Sequence, residues 1–137
     1  TQPYTTYQAN MTEYVYGARK KGAIPILVTS VHRRNFDENG RLVNTLGDFP
    51  QAMIQLAEKL DVHLINLWKK TEKLYQSLGP EGSKQLFTWF DANEHPNYPE
   101  GIQDNTHFCE HGAREVGKLV IEGIKELQLP IVSFIKE

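Results

Sequence analysis

The stretch Ala23-Ile24-Pro25-Ile26-Leu27-Val28-Thr29-Ser30-Val31 constrains the fold more than any other part of the chain. It is almost wholly apolar, does not alternate, and is too short for a buried helix. A strand covered on both faces reads this way, and such strands belong to parallel sheets. Pro25 removes a ladder donor, so it belongs near the strand's start. Val62-His63-Leu64-Ile65-Asn66-Leu67 reads as a second short buried strand. Helical periodicity surrounds both runs. Tyr7, Met11, Tyr14, Val15 and Ala18 share one face, with Thr5 and Thr6 as candidate N-caps and Gly22 as the stop. Asp48 and Pro50 open a second helix, striped by Met53, Ile54, Ala57 and Leu60. Leu67, Thr71, Leu74, Tyr75 and Leu78 mark a third, which ends at Gly79-Pro80. Strands alternating with helices imply right-handed crossovers and a parallel sheet with helices on both faces.

Further along, Pro80 to Phe90 is expected to hold a short helix carrying Leu86, Phe87 and Phe90. Asp91 to Asn105 reads as a long loop rich in Asn, Pro, Gly and charge. A long helix is expected from Thr106, burying Phe108, Ala113, Val116, Leu119, Val120, Ile124 and Leu127. Leu129-Pro130 breaks it, and Ile131 to Ile135 is expected to pack back on the domain. The 137 residues read as one α/β domain with no dividing linker. Two strands make a poor sheet, so the domain is expected to be incomplete. An unfinished sheet exposes an apolar edge, which predicts a homodimer or pairing with a missing N-terminal segment.

Charge narrows the function classes. Lys and Arg number 15 and Asp and Glu 17, giving a formal charge of −2, and no basic stripe is present. Nothing here favours nucleic acid. No apolar run approaches the roughly 18 residues that a membrane-spanning helix needs. The single cysteine, Cys109, excludes an internal disulfide but leaves cytoplasmic and secreted locations open. The opening Thr1-Gln2-Pro3 lacks an initiator Met and reads as a processed or truncated start.

The stretch that carries chemistry is Asp104-Asn105-Thr106-His107-Phe108, where the loop gives way to the last helix. An aspartate three residues before a histidine can bring its carboxylate to imidazole Nδ1. Nε2 is then free to take a proton from a nucleophile. The same spacing also arises when Asp104 or Thr106 merely caps a helix.

Asp104-x-x-His107 resembles the last block of the SGNH (GDSL) hydrolases. The chain resembles their rhamnogalacturonan acetylesterase branch in particular. Thr6-Tyr7-x-x-Asn10, Ile26-Leu27-Val28-Thr29-Ser30-Val31-His32-Arg33-Arg34, Phe36-Asp37-Glu38-Asn39-Gly40 and the Asp104 to Phe108 block carry the likeness, in that order. It runs from about Tyr4 to about Leu127. The resemblance implies the C-terminal part of a flavodoxin-like three-layer α/β/α fold. It also implies removal of acetyl groups from a pectic oligosaccharide or polysaccharide, without metal or organic cofactor. His107 would be the general base and Asp104 its orienter. Arg33 and Arg34 would stand near substrate, and His32 would either join them or simply begin a loop. The family's Gly-Asp-Ser nucleophile block and Gly-x-Asn-Asp oxyanion block are absent. Gly47-Asp48 is followed by Phe49. One lost oxyanion donor typically costs about 10²–10³ in rate, and a lost nucleophile far more. The chain by itself is therefore expected to be close to inert.

Other readings compete. A non-catalytic carbohydrate-binding or assembly module would carry the same residues. A metal hydrolase would use His107 and His111, four apart on one helix face, although Glu110 stands where the His-Glu-x-x-His pattern does not need it. Cys109 reads as a small buried hydrophobe, and His63 as structural. Ser30 ends a strand but lacks the flanking glycines of a nucleophile elbow. Trp68, Phe87 and Phe90 read as core, with Trp89 as a possible sugar platform.

Overall fold

The two apolar runs pair with each other. In the computed structural model, which describes residues 1–136, β1 (Ile26–Val28) and β2 (His63–Ile65) lie parallel. Leu27 stands opposite Leu64, and Val28 opposite Ile65. Alternation along each strand divides their side chains between two faces. Leu27 and Leu64 pack against Val15 of α1 (Gln8–Lys20) and Met53, Leu56 and Ala57 of α2 (Phe49–Leu60). Ile26 and Ile65 turn the other way, toward Val116, Leu119, Val120 and Ile124 of α4 (Glu110–Glu126). Helices thus cover both faces of a parallel sheet, as the unbroken apolar runs require. A Cβ on Gly123 would lie 2.6 Å from an Ile65 methyl, so glycine is what lets α4 settle onto β2.

Helix ends follow the sequence with exceptions. α1 is entered through a π-helical turn, Pro3–Tyr7, with Gln2 in the cap position, so neither Thr5 nor Thr6 caps it. Pro3 draws the start forward because its missing N–H costs nothing in a first turn. Gly22 adopts a φ of 74° just past the end, as a stop requires. Asp48 occupies the cap of α2 without a side-chain bond, and Pro50 lies in the first turn. α3 (Leu67–Gly82) begins with the Asn66 side chain accepting from the Lys69 N–H. It breaks at Gly79, φ 70°, and resumes through Pro80. Lys70 ties α3 to α4 by ion pairs with Glu122 and Glu126.

The segment between α3 and α4 departs from expectation. Instead of a short helix to Phe90, a 3-10 turn at Ser83–Leu86 leads into strand β3 (Phe87–Phe90). β4 (Ile102–Phe108) returns antiparallel to it, with Phe87 opposite Phe108 and Trp89 opposite Gln103. Phe87-Thr88-Trp89-Phe90 is the aromatic and β-branched composition that a pleated surface favours. Thr106 and His107 therefore lie in a strand, and α4 starts only at Glu110 with Cys109 at its cap. The last turn, Pro130–Phe134, packs back only in part. Ile131 meets Ile24 and Ile26 across a shallow apolar hollow, while Phe134 is exposed. No helix among the described residues is long and apolar enough to cross a membrane.

Candidate active site

Local hydrogen bonding builds the candidate site. Asp104 Oδ1 accepts from the backbone N–H groups of Thr106, at 2.6 Å, and His107, at 2.9 Å. Its Oδ2 lies 2.7 Å from His107 Nδ1. The bond to the His107 ring, then those two amides, hold the Asp104 carboxyl down at about 2. The His107 side chain is 79% exposed and that of Asp104 only 25%. The carboxylate is thus shielded behind the ring. Nε2 has no hydrogen-bond partner among the described residues.

Arg34 stands behind this turn and is buried. Its backbone N–H donates to the Asn105 carbonyl at 2.9 Å, and its Nη1 to Asn105 Oδ1 at 2.7 Å. Nε donates to Ser83 Oγ, and Nη2 to the Pro80 carbonyl. The guanidinium lies 4.8 Å from the centre of the Trp89 ring, whose Nε1 also donates to Asn105 Oδ1. His32 is buried too. Its ring stacks on Trp68 at 4.7 Å, and neither ring nitrogen has a partner among the described residues. Burial pushes its imidazole below the usual value, against the pull of Glu72. Arg33 alone of the three expected substrate contacts is exposed.

No family model matches the chain. Over 131 residues it is 60% identical to the rhamnogalacturonan acetylesterase RhgT of Bacillus subtilis strain 168, an alignment covering 96% of this chain and 56% of that protein. The chain is thus similar to a rhamnogalacturonan acetylesterase along nearly all of its own length. It is also 44% identical to the probable rhamnogalacturonan acetylesterase YesY of the same organism, across all of this chain and 59% of YesY. The chain thus spans little more than half the length of these curated relatives. A crystal structure of the Bacillus subtilis protein YXIM matches 90% of this chain and 32% of its own, with a TM-score of 0.71 at 22% identity. That likeness speaks to fold alone.

Among the described residues, no serine reaches the His107 ring by a hydrogen bond. Ser77, Ser83 and Ser133 bond to carbonyls three residues before them, and Ser30 is exposed at the end of β1. The expected pairing of His107 and His111 on one helix face does not form, because His107 is on β4 and His111 on α4. No group of three or more metal-ligating side chains gathers among the described residues. Cys109 is half-buried, and its Sγ donates to the Gln85 carbonyl. Phe87 is core, Trp68 covers His32, and Trp89 is engaged by Asn105.

Sequence reasoning does not single out Asn105, Ser83 or Gly112, yet each shapes the site. Ser83 is fully buried under Arg34. A Cβ on Gly112 would sit 1.8 Å from the Leu86 carbonyl oxygen, so glycine brings the start of α4 hard against the 3-10 turn that leads into β3. The one signal for Asn105 is its place between two residues of reactive type.

Proposed function

We propose that this chain supplies the general base and its orienting carboxylate to a serine esterase that removes acetyl groups from an acetylated pectic sugar chain. The serine comes from outside these 137 residues. The supporting observation is the 2.7 Å approach of Asp104 Oδ2 to His107 Nδ1, with the far side of the ring open. A carboxylate on Nδ1 fixes the tautomer that leaves Nε2 basic, and it stabilises the imidazolium once formed. Two relatives, one named a rhamnogalacturonan acetylesterase and the other a probable one, support this choice of substrate class.

In the reaction, His107 Nε2 takes the serine hydroxyl proton as Oγ attacks the acetyl carbon. The imidazolium then protonates the departing sugar oxygen, leaving an acetyl-serine. Water, deprotonated by the same ring, attacks that ester and releases acetate. The test is acetate release from acetylated rhamnogalacturonan by the intact esterase. His107→Ala is expected to lose about 10⁴-fold or more in rate. A variant that keeps most of its rate would overturn the assignment.

A further inference from the structure

We infer that Arg34 is a positioning residue for the Asp104–His107 pair, acting through Asn105 and not through contact with the sugar. This rests on the esterase reading above. Arg34 was a natural candidate for gripping substrate, but its donors are committed inward. Nε serves Ser83, Nη2 the Pro80 carbonyl and Nη1 Asn105, while the face of the guanidinium covers Trp89. Only 8% of the residue is exposed.

Asn105 is the residue on which that effort converges. It sits between the carboxylate and the imidazole, and Arg34 holds it twice, at the backbone carbonyl and at Oδ1. Trp89 Nε1 takes the second acceptor position of Oδ1 at 2.9 Å. The turn that aims Asp104 at the ring consists of the very next amides, those of Thr106 and His107. Fixing Asn105 therefore fixes the start of the turn. A lysine could not reproduce this, since one ammonium lacks the planar fork that reaches three acceptors at set angles.

The experiment uses the intact esterase with Arg34→Lys, Asn105→Ala and the pair combined. The Asp104 carboxyl is titrated by NMR, and kcat and KM are measured on acetylated rhamnogalacturonan. Both single variants should lower kcat by about 10²-fold, the scale of a small misplacement of a catalytic group, with KM little changed. In both, Asp104 should titrate well above about 2, toward ordinary carboxylates. The double variant should be no worse than the poorer single one, because both cut the same link. Asn105→Ala leaves the Arg34 bonds to Ser83 and Pro80 in place, so it remains informative if Arg34→Lys folds poorly. A raised KM with unchanged kcat would assign Arg34 to substrate instead. An unmoved Asp104 titration would overturn positioning outright. Full activity of His107→Ala is a separate result that sinks the esterase reading and not the anchoring, which the NMR titration reads without turnover.

Discussion

Asp104 does two jobs with one carboxylate: it holds a backbone turn with Oδ1 and an imidazole with Oδ2. Asp104→Asn keeps the shape but invites the wrong tautomer, and it should cost about 10⁴-fold in kcat for the intact esterase. Because folding lowers this carboxyl to about 2, it adds stability above the unfolded value near 4. That contribution is lost as pH falls from about 4 toward 2. His32 has the same sign in a higher window. Its folded imidazole resists protonation, so stability is lost as pH drops through the unfolded value of about 6.5. Thermal melts between pH 7.5 and 5 should show that decline, and His32→Phe, which keeps a ring against Trp68, should flatten it; an equal decline in the variant would refute the assignment. The Asp-x-x-His spacing was legible because its partners are three residues apart. The inward turn of His32 and Arg34 was not. A polar residue after a strand reads as solvent-facing, and what buries Arg34 lies 49 residues away at Ser83 and at Trp89 beyond it.

The elements that read correctly from sequence are those whose pattern is local. Most of β1, β2 and the apolar stripes of α1, α2 and α4 announce their own burial, although Tyr14, Val28, His63 and Ala113 lie exposed. The β3–β4 hairpin does not, because Phe87 and Phe90 also suit a helical turn and only pairing with β4 decides the matter. That pairing draws His107 into a strand and delays α4 to Glu110. The junction depends on Gly112, where any side chain meets the Leu86 carbonyl. Backbone cannot yield as a flexible side chain does. Gly112→Ala should therefore destabilise the protein by about 1–3 kcal/mol, despite alanine's better helix propensity. Urea unfolding at neutral pH checks this, and an unchanged or raised midpoint would show that α4 is not pressed against the turn at Leu86.

At the scale of the whole molecule, a two-stranded parallel sheet with both outer edges unpaired among the described residues is the dominant fact. Ile24 and Val28 on and beside β1 are exposed, and Ile131 and Phe134 add apolar surface from the C-terminal turn. An open apolar edge favours pairing. The chain alone should self-associate in sedimentation velocity, and Val28→Lys should shift it toward monomer; a wild-type monomer at high concentration would contradict this. This chain spans only 56% and 59% of the curated relatives, so the remaining length in them is ample for further strands and a serine. The most direct measurement is hydrolysis of p-nitrophenyl acetate by the 137-residue chain, with and without the complementary segment of the esterase. The expected result is no turnover by the chain alone and turnover on mixing that His107→Ala abolishes. Turnover by the chain alone that survives His107→Ala would contradict the account.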